Sequence, residues 1–334
     1  MPTSGDYNYD VINVSQANIT SYIGVATDVV IPSTLDGYTV TAIGANAFKS
    51  KSLTSVTIPD GVTSIGTDAF RYNSLTSITI PSSVTTMGQY AFATNSLAYL
   101  EINHDYSIGE CAFSSNPFST GVVVNVSITK TVGSYPFQSC NLQDRLTFGA
   151  TVTIISPNIG YSAGLTTVTI PHAVTSIGAN AFRSNSLTSI TIPSLVTSIG
   201  ASAFQSNSLT SITLPDSVTS VGTNAFRSNS ISLLTVWNSA TAFSTSISGV
   251  LYENPGGVIR GWSGSTAQTL ADSYANYTFD AIRVEASNVG LQVEVLLDPY
   301  IHLQSIALQV EVDFMSVVNS VAQSKMNIGM HIEI

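Results

Sequence analysis

The sequence predicts a repeat solenoid, mostly β and of α+β class in the wider sense, because one pattern returns at a fixed interval. Pro171, Pro193 and Pro215 are 22 residues apart, and each follows an Ile or a Leu. An Ile-Gly or Val-Gly pair and then an Ala-Phe pair recur at the same places in each interval. A constant period of this length indicates stacked coils, each of which buries its apolar face against its neighbours.

The Ile-Gly step marks one place in every coil and predicts nine coils at intervals of 21 to 24 residues. The apolar residues of this step are Ile43, Ile65, Met87, Ile108, Val132, Ile155, Ile177, Ile199 and Val221. Glycine follows in all but one coil, where Ser156 replaces it. We therefore expect a right-handed solenoid over residues 43–236, with capping strands in 1–42 and a C-terminal cap in 237–282.

The first 42 residues predict strands that close the N-terminal end. Residues 7–14 alternate in character and predict one strand, and residues 26–31 predict a second that ends at Pro32. The sequence Leu-Asp-Gly-Tyr at 35–38 predicts a turn, since its glycine can adopt a positive φ.

Each coil predicts two extended segments. In one coil Ile78 and Ile80 point inward and Thr79 points outward, so the segment is a half-buried strand that ends at Pro81. Residues 84–88 have an apolar residue near each end and predict a second short strand or extended segment that ends in a turn.

The segment 89–92 predicts a single helical or 3₁₀ turn whose aromatic side chain enters the core. One phenylalanine occupies this place in most coils, and repeat arrays bury a continuous core, so we expect these rings to form a stacked column. The residues are Phe48, Phe70, Phe92, Phe113, Phe137, Phe182, Phe204 and Phe226.

The repeat is least regular over residues 103–164. Gly160 stands where the phenylalanine of its coil belongs. The missing ring leaves room that Phe148 or Tyr161 could fill. The irregular section is either drift of the repeat, which we favour, or a place where the surface was rebuilt for binding.

Composition excludes several classes of protein. The chain is 44% hydrophobic and only 9% charged, unlike a charge-rich disordered chain. A net charge of −10 with only 10 Lys and Arg leaves no concentrated basic stripe that could bind nucleic acid, and it does not favour binding to anionic membranes. We find no signal peptide and no run long enough for membrane insertion. We therefore expect either a mature protein whose leader has been removed or one that is not secreted conventionally, as in virion assembly.

The pattern Ile-Pro…Val-Thr-Ser-Ile-Gly-x-x-Ala-Phe…Leu-Thr-Ser-Ile-Thr-Ile-Pro closely resembles the BspA-like, or type 5, leucine-rich repeats. Residues 28–32 and 36–40 resemble the usual first coil of that family, and residues 258–267 with 277–279 resemble its usual last module. The resemblance spans residues 7 to about 282. It implies a parallel β-bearing solenoid on a surface or secreted protein that serves in adhesion, and it implies no catalysis.

A second repeat occupies the tail, residues 283–334. Its alternating apolar and polar residues predict amphipathic β-strands that are too small for a core of their own. We expect this segment to mediate oligomerisation or docking to a larger assembly, although a cap on the solenoid is the alternative. The segment weakly resembles short β repeats of tailed-phage structural proteins. The assembly candidates are Leu291, Val293, Val295, Leu308, Val310, Val312, Met330, Ile332 and Ile334.

The sequence contains no recognisable catalytic or metal-binding constellation. The histidines have no partners at metal-ligand spacing, and the serines have no base and orienting acid beside them. We therefore predict no catalytic residues, no metal and no cofactor. Cys111 and Cys140 lie at different places in their coils, so a disulfide is possible but free thiols are favoured.

Exposed rows are the better candidates for a binding site. The residues that point outward from the Ile-Pro strands are Ser55, Thr57, Ser77, Thr79, Ser189, Thr191, Ser211 and Thr213. Such a face could contact a protein or a carbohydrate, or it could be ordinary β surface. A row of asparagines at 73, 95, 185, 207 and 229 is expected to be structural, because stacked amides can bond coil to coil. The basic residues at 49, 71, 183 and 227 predict a thin positive stripe.

These observations predict a non-enzymatic structural and adhesive surface protein. Our main hypothesis is a virion or appendage component that displays the solenoid for host or surface binding. The alternative is a secreted or cell-surface bacterial adhesin of the BspA-like type.

Overall fold

The computed structural model describes residues 2–238, 241–243, 250–251, 253–261, 265–273 and 276–282. They form a β-solenoid of about eleven turns with almost no helix, which confirms the predicted fold class. The nine assembly candidates of the tail, Leu291 to Ile334, lie outside the described residues, and their role stays a prediction.

Strands at the Ile-Gly step lie in two sheets in which successive coils pair in parallel, and we call them together the Ile-Gly ladder. They are Gln16–Tyr22, Tyr38–Ile43, Ser64–Ile65, Thr86–Met87, Ile154–Ile155, Ser176–Ile177, Ser198–Ile199, Ser220–Val221 and Ala242–Phe243. Isolated bridges from Thr86 to Ser107 and from Ile108 to Val132 extend the first sheet into the irregular section as far as Val132.

The ladder has one turn more at each end than the nine that were predicted. Ile19 pairs with Ile43 at the start, and Phe243 pairs with Val221 at the end. No glycine follows Ile19 or Phe243, so counting the Ile-Gly step missed both turns. In the regular coils the glycine is required by close packing: a Cβ on Gly200 would lie 2.5 Å from the main-chain nitrogen of Ala179.

The strands that precede the Ile-Pro position form the Ile-Pro ladder, which is divided into three parallel sheets. The first contains Asp28–Val30 and Ser55–Thr57, and the second contains Tyr99–Ile102, Gly121–Val124 and Leu146–Phe148. The third contains Ser211–Leu214, Leu233–Val236, Gly257–Gly261 and Tyr277–Ala281. An α-helix, Thr266–Asp272, lies between the last two of these strands in sequence.

The Ile-Pro ladder is less regular than we predicted. Ile78 and Ile80 are buried and Thr79 is exposed, as expected, but residues 77–80 pair with neither neighbouring coil and are not a strand. The same is true of residues 167–170 and 189–192. The alternation of burial therefore holds in coils where the strand prediction is wrong.

The N-terminal end is closed by antiparallel strands. Thr3–Ser4 pairs with Tyr7–Asn13, which forms a hairpin with Gln16–Tyr22. The predicted turn is also present, because Thr34–Leu35 pairs with Tyr38–Ile43 around Gly37, whose φ is 88°.

The turn that carries the phenylalanine is not helical, which corrects the sequence-based expectation. Tyr90 is in the left-handed conformation, with a φ of 54°. This geometry directs alternate N–H groups toward the next coil. Tyr90 N donates to Glu110 O at 2.9 Å, and Phe92 N donates to Ala112 O at 2.8 Å. The turn thus adds a third line of coil-to-coil hydrogen bonds, which an isolated helical turn would not provide.

The predicted phenylalanine column is confirmed. All eight rings are fully buried, and neighbouring rings such as Phe70 and Phe92 stack with centroids 5.0 Å apart. At Gly160 the column is interrupted, and the Phe148 ring lies T-shaped to the Phe182 ring with centroids 6.2 Å apart. Tyr161 instead pairs with Tyr135, with centroids 4.1 Å apart.

Candidate functional site

The hydroxyl row is our name for Ser55, Thr57, Ser77, Thr79, Ser189, Thr191, Ser211 and Thr213. Seven of these residues are exposed, and Ser55 is half-buried. Their position follows from strand geometry, because successive residues point to opposite faces and the intervening Val56, Ile78 and Ile212 are buried. The structure therefore places the predicted row on the surface.

Most hydroxyls of the row are unused inside the molecule. Ser55 donates to the carboxylate of Asp28. The hydroxyls of the other seven make no hydrogen bond with any residue that the structure describes. Each can therefore both donate and accept a hydrogen bond from outside.

A second threonine row shows that exposure alone does not leave a hydroxyl free. On the Ile-Gly ladder each of five threonines donates its hydroxyl to the carbonyl of the threonine one coil earlier, at 3.1 Å. The donors are Thr63, Thr85, Thr175, Thr197 and Thr219. We call this the bonded threonine row. It holds coils together, whereas the hydroxyl row is free to contact a partner.

The asparagine row is structural, as expected. The amide of Asn207 donates to Phe182 O at 2.9 Å and to Phe204 O at 3.0 Å, while its oxygen accepts from Leu187 N at 3.1 Å. Asn116 and Asn254 belong to the same row. The Asn-Ser signal missed them because proline, not serine, follows each of them.

The basic stripe is not an open cationic face. Lys49 and Arg71 both bind Asp68, at 2.8 and 3.1 Å, and Arg227 binds Glu253 at 2.7 Å. Burial alone would raise the pKa of Asp68, but the hydrogen bonds from Lys49 and Arg71 outweigh it and leave that pKa lowered.

Arg183 completes the stripe and has a different environment. Its guanidinium lies 5.4 Å from the centre of the Tyr161 ring, and its Nη1 donates to Asn180 Oδ1 at 3.4 Å. The four cations of the stripe are therefore engaged with residues of their own or of an adjacent coil.

Both cysteines are buried free thiols, which is the form that the sequence favoured. Burial raises the pKa of Cys140 to about 12 and also raises that of Cys111. Cys140 occupies the asparagine place of its coil, and its Sγ lies 3.3 Å from Phe113 O. The two thiols are therefore packing groups in an un-ionised state rather than nucleophiles.

The described histidines belong to separate environments. His104 Nε2 lies 3.2 Å from Val84 O, while the carboxylate of Asp105 accepts from the main chain of Thr129 and Lys130. His172 is exposed, and the histidines at 302 and 331 lie outside the described residues. Across the part of the chain that the structure describes, no three His, Cys, Asp or Glu side chains are grouped to hold a metal ion. Nor does a helix there have the length and apolar character to cross a membrane.

Comparison with solved structures places the fold among leucine-rich repeat proteins. A leucine-rich repeat protein from Bacteroides ovatus ATCC 8483 is 16% identical, with a TM-score of 0.51 over 83% of this chain and 76% of that chain. One from Eubacterium ventriosum ATCC 27560 is 22% identical, with a TM-score of 0.47 over 78% of each chain. A leucine rich cell surface protein from Faecalibacterium prausnitzii A2-165 is 21% identical, with a TM-score of 0.30 over 84% of this chain and 95% of that chain.

No curated protein matches the sequence. The family model for the BspA type leucine rich repeat region matches in six copies, over residues 41–159 and 130–248. These two matches cover most of the solenoid and more than half of the chain. The chain therefore belongs to the BspA-type leucine-rich repeat family.

Proposed function

We propose that this protein is a non-enzymatic adhesive surface protein that binds a protein or a carbohydrate through its hydroxyl row. The contrast between the hydroxyl row and the bonded threonine row supports the proposal. The bonded threonine row uses its hydroxyls between coils, while seven hydroxyls of the other row have no partner among the described residues.

The geometry suits repeated weak contacts. The row lies on coils whose cores and main chains are held by the phenylalanine column and the asparagine row, so its members keep fixed relative positions. The loss of translational and rotational freedom on association occurs once. A partner that contacts several equivalent hydroxyls at the same time therefore gains affinity from each further contact.

A secreted or cell-surface adhesin is the origin that we favour, because membership in the BspA-type repeat family supports it. A protein of this type is located outside the cell, and we propose that location here. The virion or appendage role gains no support from the family match and stays a prediction. Self-association through residues 283–334 also stays a prediction.

The test measures binding of the labelled full-length protein to a monolayer of epithelial cells. The test variant carries Thr79→Lys, Thr191→Lys and Thr213→Lys, which place bulky charges along the row. The matched control carries Ser74→Lys, Ser186→Lys and Ser208→Lys, three exposed positions in the same coils but outside the row.

We expect saturable binding that weakens at least tenfold in the test variant and less than twofold in the control. Pretreating the cells with trypsin or with periodate then separates a protein ligand from a carbohydrate ligand. Absence of saturable binding, or equal losses in both variants, would overturn the proposal.

A further inference from the structure

The length of one coil differs from that of its neighbour on the face that carries the hydroxyl row. Three residues separate the buried Leu142 and Leu146, whereas only two separate the equivalent Leu165 and Val168 in the next coil. After this segment the two coils are not paired as strands, because Leu146 belongs to a sheet and Val168 does not.

The main chains of the two coils separate after Gln143. Gln143 O accepts from the N–H groups of Thr166 and Thr167, at 3.0 and 3.4 Å. Beyond that point Leu146–Phe148 is the last strand of its sheet, and residues 167–170 belong to no strand. A groove of about 660 Å³ lies between the two coils. This volume is within the range of about 300–1,000 Å³ that is typical of small-ligand sites.

Polar side chains with free hydrogen-bonding capacity line this groove. Asp144, Thr147, Thr169 and His172 are exposed, and none of their side chains makes a hydrogen bond with another described residue. They offer a carboxylate acceptor, two hydroxyls and an imidazole. Among the described residues that line the groove there is no lysine or arginine.

Apolar side chains complete the lining. Phe148 is only half-buried, although Ile102 and Val124, which hold the same place in their coils, are buried. Its ring forms a T-shaped pair with the Phe182 ring, and Phe148 also lines the groove. Leu195 lines the groove too and is 47% exposed. An accessible aromatic ring and an aliphatic side chain therefore lie beside the polar groups.

We propose that this groove binds a neutral oligosaccharide of two or three sugar rings. Sugar hydroxyls match the carboxylate, hydroxyl and imidazole groups, and the apolar C–H face of a sugar ring can pack on Phe148 and Leu195. The absence of a cationic side chain from the described lining gives an anionic sugar no counter-charge. The inference rests on the proposed adhesive function and gives that function a ligand class.

The experiment uses the full-length protein with cellotriose, maltotriose, lactose and N,N′-diacetylchitobiose as probes, and sialyllactose as the charged comparison. Binding is measured by saturation-transfer NMR and titration calorimetry. The groove variant is Asp144→Ala with Thr169→Val. Its matched control is Asp216→Ala with Thr188→Val, two exposed positions that neither line the groove nor belong to the hydroxyl row.

We expect at least one neutral sugar to bind, with affinity reduced at least tenfold in the groove variant and less than twofold in the control. If no neutral sugar binds, if both variants weaken binding equally, or if sialyllactose binds better than every neutral sugar, the inference is overturned. Cell binding that depends on the hydroxyl row, with no sugar in the groove, would overturn this inference and leave the proposed function standing. Sugar binding in the groove without binding to cells would overturn the proposed function and leave this inference standing.

Discussion

At the scale of single residues, a buried amide holds two coils together. The amide nitrogen of Asn95 donates to Phe70 O and Phe92 O, both at 3.0 Å, and its oxygen accepts from Leu75 N at 3.1 Å. Every polar group is then satisfied, which is the condition under which a buried polar side chain stabilises a fold. Tyr106 is the opposite case, because it is fully buried and its hydroxyl has no hydrogen-bond partner among the described residues.

We predict that Tyr106→Phe stabilises the protein by about 1 kcal/mol, because the unpaired buried hydroxyl loses its hydration on folding and gains nothing in return. Burial also raises the pKa of this phenol, in keeping with an apolar environment. Urea unfolding followed by circular dichroism measures the change in the free energy of unfolding.

Tyr22→Phe is the matched control for this substitution. The hydroxyl of Tyr22 donates to Ala26 O at 3.1 Å in a side chain that is also buried. Its removal is expected to cost about 0.5–1.5 kcal/mol. A loss of stability in Tyr106→Phe as large as that in the control would show that the Tyr106 hydroxyl is satisfied in the folded chain.

At the scale of elements, the stacked aromatic column is the main packing unit of each coil. Phe182, Phe204 and Phe226 stack at intervals of 5.6 Å and are fully buried. Where Gly160 replaces the ring, a Cβ would lie 3.1 Å from both Leu165 Cδ1 and Phe182 Cδ1. Neighbouring side chains therefore occupy the space, and a ring could not be restored without moving them.

We expect Phe204→Ala to reduce the free energy of unfolding by about 3–5 kcal/mol, the range for truncating a buried aromatic side chain. Leu195→Ala in the same coil removes a half-exposed side chain, and we expect it to cost less than about 1 kcal/mol. Chemical unfolding of both variants tests this. Equal effects of the two substitutions would mean that the column does not carry the packing energy.

At the scale of the whole molecule, the last turns of the described solenoid are formed by residues that precede the tail. Gly257–Gly261 and Tyr277–Ala281 continue the Ile-Pro ladder, and Ile282 N donates to Gly261 O at 2.8 Å. The buried core is continuous from Tyr9 to Tyr277. Repeat arrays are stabilised by contacts between neighbouring turns, so the solenoid does not require a distant segment to fold.

We predict that a truncate ending at Ile282 is folded and monomeric, and that the full-length protein is an oligomer. Light scattering gives the mass of each species, and circular dichroism shows whether the truncate is folded. If the full-length protein and the truncate are both monomers, residues 283–334 do not mediate assembly. Unfolding or aggregation of the truncate would make that segment a cap.

Much of the fold follows from periodicity alone. A 22-residue repeat identifies the buried places, so the phenylalanine column and the structural asparagines could be assigned from residues such as Phe204 and Asn207. The two outermost turns could not be found, because Ile19 and Phe243 lack the glycine that marks the others. The non-helical turn at Tyr90 was also missed, since its left-handed conformation serves bonds to the next coil.

The sequence also determines that small hydroxyl residues point outward on both ladders, because alternation along a strand depends only on residue type and position. Which hydroxyls remain free is decided only by the tertiary structure. Thr197 and Thr191 are six residues apart and both exposed, yet only Thr197 reaches a carbonyl of the previous coil. The groove likewise exists only in the folded chain, because residues of successive coils such as Thr147 and Thr169 line it together. Hydrogen-bond partners are set by distances between coils, and those distances exist only in the folded chain.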